Sequence, residues 1–363
     1  MSQPTLDDAR ALSEWAPPMG VVSVYLRFDP GDRGGAWRTE LRNGLDRLLE
    51  AAKEAPHERR VALRETARRL AERFEDGELR PPPRGEAGFV EVAERGGQER
   101  WWASGVPPLV ADCVQLGERP AVAPLVELSY LAEPRGVAVL SAERVRLLGF
   151  AEGALEEMED WELTVTSLDW RERKSAASAN PARTQGVSAS GHDQFGERLD
   201  HNRHRFLVEC GRLAGHQMER GNARDLLVFG PASDVESFNA GVASPGVELE
   251  HGGDGDLIST PTGRLLEPVA DAVTALRARR DEEIAERAVQ EAQGGSRGAA
   301  GPQDTAEALA EGRVERLVLD AAIPAAEQLV CSALASGARV SLLRGEPAQR
   351  LAAAEGVAAI LRY

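Results

Sequence analysis

Lysine is almost missing from this chain: Lys53 and Lys174 are the only two among 43 basic residues, against 59 acidic residues and a formal charge of −16. A protein that coats nucleic acid without selection works by releasing counterions through many cationic contacts, and this composition excludes that mode. Any contact with RNA must be local, and arginine, whose planar fork suits phosphate, has to carry it. Cysteine is scarce too. Cys113, Cys210 and Cys331 are widely spaced and form no CxxC pair, which removes the usual frame for zinc or dithiol chemistry and leaves them as small buried hydrophobes. No run approaches the roughly 18 apolar residues that a membrane span needs. The opening MSQPTLDDARALSEW has acidic residues and no apolar stretch, unlike a secretory signal. A cytoplasmic protein without membrane contact is expected. The chain also lacks GxxxxGK[ST], GxGxxG after a strand, and GxSxG. Nucleotide hydrolysis, dinucleotide binding and serine-triad chemistry lose their sequence basis, and no cofactor is expected.

What is present is a chain of 363 residues with 42% hydrophobic residues, enough for two or three cores. The run Val21 to Phe28, β-branched and closed by Asp29-Pro30-Gly31, predicts a buried strand. Leu41, Leu45, Leu48 and Leu49 place a helix over about Trp37 to Lys53, and a second runs from about Glu58 to Phe74. GFVEVAE and RWWASG predict short strands joined at Gly96-Gly97. A short helix from Pro124 to Leu131 then leads into a hairpin, GVAVLSAERVRLLGF. An acidic stretch, GALEEMEDWEL, and a polar tract from Arg171 to His192 come next, and a tract of that length without periodicity is usually functional or disordered. A strong helix over about Gly196 to Arg220 precedes the strand DLLVFG, a helix near Ser233 to Ala240, and GVELEH. Pro268 to Gln293 predicts a long charged helix, and GGSRGAAGPQ a flexible break. The remainder reads strand, helix, strand, helix, strand. The fold class is therefore mixed α/β with three domains, 1–118, 119–265 and 266–363.

On the helix after the polar tract, Arg198, His201, Arg205, Arg212 and His216 share one side, and Leu199, Phe206, Cys210 and Leu213 another. One face packs and the other is basic. In an acidic protein such a stripe is where RNA phosphate would be met, unless acids such as Glu209 neutralise it. His201 and His204, with Asp200 and His192 near, have a spacing that zinc accepts, but no third ligand is specified and arginines surround them, so no metal is expected.

The closing pattern AEALAEGRVERLVLD, GARVSLL and AAAEGVAAILRY resembles the third domain of the eukaryotic and archaeal class-one release factors and Pelota. The middle range resembles that superfamily's ribonuclease-H-like second domain, where a hairpin precedes a mobile loop and a basic helix, and the YLRFDP strand is similar to the bacterial branch, which includes Balon-like hibernation factors. The resemblance implies a small α/β/α sandwich at the C-terminus and a ribosome-binding factor of the A site. In the superfamily a Gly-Gly-Gln tripeptide before the long helix helps water attack peptidyl-tRNA. Here the corresponding segment is SGHDQFGERLDHNRHRF, with Gln194 near the expected place and His192 and Asp193 where the glycine pair would stand. The intact Gly96-Gly97-Gln98 lies far from that segment and reads as a hairpin turn. The stop-codon-reading Asn-Ile-Lys-Ser motif is absent, since Lys53 lies in AAKEAP and Lys174 in RERKSA. The resemblance thus implies codon-independent action in hibernation or rescue. Gly191, His192, Arg198, His201, Arg203, Arg205 and Arg212 are the expected RNA contacts, and an elongation factor Tu-type GTPase is a possible partner. The alternatives are a peptidyl-tRNA hydrolase in which Gln194 positions water, and a scaffold that kept the fold without ribosome binding.

Overall fold

Val21 to Leu26 are all buried, so strand β1 (Val21–Arg27) must be covered on both faces, and the computed structural model shows how. The structure describes residues 4–28, 35–75, 84–104, 107–110, 113–131, 133–151, 153–163, 190–294 and 297–363, with the backbone alone over 190–198. Strand β1 lies inside an antiparallel sheet with β2 (Gly85–Glu91), β3 (Glu99–Ser104) and β4 (Val114–Gly117), in the order β3-β2-β1-β4. Because side chains alternate along a strand, Val22, Val24 and Leu26 face one way and Val21 and Tyr25 the other. The first set meets helices α2 (Ala36–Ala51) and α3 (His57–Glu75) through Trp37, Leu41, Leu45, Leu63, Leu70 and Phe74. The turn at Gly96-Gly97 closes the β2–β3 hairpin with φ of 66° and 105°, a region glycine enters without penalty. There the Glu91 amide donates to the Gln98 carbonyl (2.9 Å) and the Gln98 amide to the Glu91 carboxylate (3.0 Å). The second tripeptide is a turn.

The other face of this sheet shares its core with the C-terminal part of the chain. Tyr25, Phe89 and Trp102 pack in one cluster with helices α1 (Leu6–Ser13) and α4 (Ala123–Leu131) and with Leu317, Leu329, Val330 and Val357. Helix α1, which periodicity did not reveal, starts at a capping box in which Thr5 and Asp8 exchange hydrogen bonds. Contacts accordingly group residues 1–133 with 275–363 as one unit and 134–274 as another.

Residues 134–274 form a five-stranded sheet in the order β7-β6-β5-β8-β9, with β5 (Arg135–Ser141), β6 (Arg144–Ala151), β7 (Ala154–Glu162), β8 (Asp225–Phe229) and β9 (Glu248–Gly253). The first three strands are an antiparallel meander, and β8 and β9 run parallel to β5, the arrangement of a ribonuclease-H-like layer. Helices α5 (Ser190–Arg220) and α6 (Ala232–Gly241) cover one face, and Leu265 and Val269 from the start of α7 (Thr262–Gly294) cover the other. The acidic stretch before the polar tract, assigned no element from sequence, is the edge strand β7. Its acids face outward or pair with arginines of β6, and a register shift at Leu147/Leu148 hides the usual alternation.

The C-terminal sheet has the order β10-β13-β11-β12, from β10 (Gly298–Ala300), β11 (Val314–Asp320), β12 (Arg339–Leu343) and β13 (Val357–Leu361). Helices α8 (Pro302–Ala310) and α9 (Ala326–Ser336) pack on one face, and Ala285 and Ala288 of α7 pack on the other, with α10 (Glu346–Gln349) following β12. This is the α/β/α sandwich. One expectation is corrected: GGSRGAAGPQ is not simply a flexible break, since Gly298–Ala300 pairs antiparallel with β13. A Cβ on Gly298 would lie 2.2 Å from the Ala292 nitrogen, so glycine is what lets the strand pass beside the end of α7. One sheet falls within each of the ranges 1–118, 119–265 and 266–363.

Candidate nucleic-acid interface

Helix α5 is seated by small residues on its inner side. A Cβ on Gly211 would stand 2.1 Å from the Phe238 carbonyl oxygen, and one on Gly241 would stand 1.9 Å from the Val208 oxygen, so the two glycines let α5 and α6 touch backbone to backbone. Leu207, Cys210, Ala214 and Met218 complete the buried stripe, while Phe206 is only partly covered. The apolar side lies about a residue from the line expected through Phe206 and Leu213. Burial pushes the Cys210 thiol up to about 12, with the Glu209 charge adding to it.

The opposite side carries the residues singled out for RNA. His201, Arg205, Arg212 and His216 are exposed there, and His204 is exposed on the flank toward α6. Part of this charge is spent within the protein. Arg212 forks onto Glu209 through Nε (3.0 Å) and Nη2 (2.7 Å), which holds the Glu209 carboxyl below and the guanidinium above its ordinary pKa. Arg203 donates to Glu143 in the β5–β6 turn at 2.6 Å and lies 3.6 Å from Asp200, so it braces the helix against the hairpin; its Nε is buried without a partner. The His204 ring stands 3.0 Å from the Ser237 hydroxyl. Among the described residues Arg205 makes no ion pair, and neither do the exposed Arg220 and Arg224 at the far end of α5, which sequence reasoning had not included. At 1.5 Å per residue Arg220 stands about 22 Å along the axis from Arg205.

Gly191, His192, Gln194 and Arg198 have their backbones in the opening turns of α5, which begins at Ser190 and so ahead of the expected Gly196. Their side chains lie outside the described residues, as does the tract 164–189. Among the described residues there is no group of three or more His, Cys, Asp or Glu that could hold a metal, and no helix long and apolar enough to cross a membrane.

The model of bacterial archaeo-eukaryotic release factor family 10 matches residues 120–293, a little under half of the chain. The resemblance read from the sequence is met by this match, which covers the ribonuclease-H-like unit and most of α7 and stops before the C-terminal pattern that first suggested it. No curated protein matches. Among solved structures, the archaeal translation termination factor aRF1 is 17% identical, with 99% of this chain and 98% of that one covered and a TM-score of 0.27. Archaeoglobus fulgidus Pelota is 13% identical over 100% and 94%, at a TM-score of 0.35. S. cerevisiae Dom34, a translation termination-like factor, is 10% identical over 77% and 80%, at 0.39.

Proposed function

We propose, taking the release-factor match over residues 120–293 as the premise, that this chain is a ribosome-associated translation factor that enters the A site without reading a codon. Hibernation or rescue of stalled ribosomes is its setting. The observation that carries this reading is α5 itself, which lies inside the matched segment and turns an arginine-bearing face to solvent in a chain of net charge −16. A local cationic stripe on an acidic protein discriminates among nucleic acids by position, since the rest of the surface repels phosphate. In this reading the ranges 1–118, 119–265 and 266–363 act as three domains, the first toward the decoding centre and the opening turns of α5 toward the peptidyl transferase centre. An elongation factor Tu-type GTPase is the proposed delivery partner, and the cytoplasm the place of action.

The test is co-sedimentation of the purified protein with vacant and peptidyl-tRNA-bearing ribosomes in sucrose gradients, with peptide release measured in the same tubes. Binding that is lost on replacing Arg198 and Arg205 together supports the proposal; binding that survives the double replacement rejects the α5 assignment. The position of Gln194 in the first turns of α5 favours a second reading, peptidyl-tRNA hydrolysis with the amide orienting water. Release abolished by Gln194→Ala would establish it, and binding without release would leave hibernation as the function. A chain that fails to bind even at low salt, where electrostatic contact is strongest, would be a scaffold with a release-factor fold.

A further inference from the structure

Between α2 and α3 lies a cavity of about 470 Å3 floored by Trp37, Leu41, Leu45, Ala67, Ala71 and Phe74 and lined by these two helices alone. Its origin is legible in the residues. Helix α2 presents large side chains at positions 37, 41, 45 and 49, four apart, and α3 answers with alanines at 67 and 71, also four apart, so the helices leave a slot where leucines would have closed it. From Trp37 to Leu49 the slot follows α2 for about 18 Å at 1.5 Å per residue. The floor is nearly closed to water: Trp37, Leu45 and Phe74 are each 7% exposed and Ala67 4%.

The rim adds charge of one sign. Arg38, Arg42, Arg64 and Arg68 stand along the slot, with Asp46 the one acid among its lining residues. Arg68 is held by Glu65 and Glu72, and Arg38 stacks over the Trp37 ring at 4.5 Å from its centroid. Arg42 and Arg64, one from each helix, are exposed and make no ion pair among the described residues, although carboxylates outnumber cations in this chain. An apolar floor with few polar groups and this volume fits the general character of small-ligand sites, roughly 300–1,000 Å3. Among the floor side chains only the Trp37 indole N–H can hydrogen-bond, too little to read a nucleobase or a peptide backbone.

We propose that the slot between α2 and α3 binds a long-chain carboxylate, its alkyl chain along Leu41, Leu45, Ala67 and Ala71 and its head group against Arg42 and Arg64. Charge complementarity selects the anion, and the apolar floor takes the chain. The lining residues all belong to the unit that groups residues 1–133 with 275–363, whereas α5 belongs to the other.

The experiment uses the full chain and dodecanoate below its micelle concentration, followed by calorimetric titration, with dodecylammonium of equal length as the cationic control. Saturable one-to-one binding of dodecanoate is expected, with the ammonium at least about ten-fold weaker because it meets the same floor but the wrong rim. Replacing Arg42 and Arg64 together with Gln should lower dodecanoate affinity about ten-fold, the loss of charge-assisted contacts to the head group, with thermal unfolding unchanged. Ala71→Leu, which fills the slot, should abolish binding. Equal binding of the two probes, binding undiminished in Ala71→Leu, or no saturable binding overturns the proposal. So does a slot that takes poly-glutamate or single-stranded RNA in an Ala71-dependent way while ignoring dodecanoate.

Discussion

Glu127 on α4 has a side chain 3% exposed, and it takes hydrogen bonds from two arginines that come from distant parts of the chain. Arg277 Nη2 donates at 2.8 Å, and Arg344 donates through Nε (3.2 Å) and Nη2 (3.0 Å) to the two carboxylate oxygens. Replacing Glu127 with Ala removes all three bonds and leaves Arg277 with Asp281 (3.5 Å) and Arg344 with the Leu109 carbonyl (2.6 Å) as partners. Breaking a fully buried pair costs about 3–5 kcal/mol. Here the arginines are 31% and 43% exposed and can turn toward water, which lowers the penalty to about 2–3 kcal/mol after solvent screening. Guanidinium unfolding followed by tryptophan fluorescence should show that loss as a shifted midpoint at constant slope. Glu127→Gln keeps one acceptor and should cost about half as much. The reverse perturbation is sharper. Arg277→Met or Arg344→Met alone leaves the carboxylate one cation, but the double variant strands a buried charge and should cost more than the sum of the singles. A loss below about 0.5 kcal/mol for Glu127→Ala, or strict additivity of the arginine variants, would refute the view that this cluster holds α4 to the C-terminal part of the chain.

Gly241→Ala places a methyl group 1.9 Å from the Val208 carbonyl oxygen and should cost about 1–3 kcal/mol by forcing α5 from α6, read as a lower melting temperature; a neutral result would mean that the helices separate freely. Glu327, partly buried on α9, caps α4 by accepting from the Val122 and Ala123 amides, yet desolvation outweighs those bonds and raises its pKa above the ordinary 4.5. A raised carboxyl favours the protonated folded state, so its contribution is full below about pH 4.5 and is lost as pH rises through the folded value. Relative to Glu327→Gln, the wild type should therefore gain stability as pH falls from about 7 to 5, and parallel denaturation midpoints across that range would contradict it. Cys210 and Cys331 are both pushed to about 12 by burial, and neither should react with iodoacetamide at pH 8 within a time that fully labels the unfolded chain.

The amino-acid order alone determined most of the elements, because burial imposes a period that survives without a partner in view. The β-branched run from Val21 predicts β1 since a strand covered on both faces is apolar nearly throughout, Ser23 excepted, and the four- and three-residue spacing of Leu41, Leu45 and Leu48 predicts α2 since one stripe must face a core. The basic side of α5 and the resemblance that the release-factor family model meets over residues 120–293 were legible because charge periodicity and motif order are properties of the string. Three things were decided only in three dimensions. The strand β10 in a glycine-rich break exists because β13 offers hydrogen bonds and Gly298 clears α7, neither of which has a sequence period. The pairing of Arg203 with Glu143 across 60 positions draws that arginine onto the hairpin, which the helical period alone does not reveal. The joining of residues 1–133 with 275–363 follows from one apolar core shared by two sheets, and such a core is a property of surfaces that meet, which no linear pattern records.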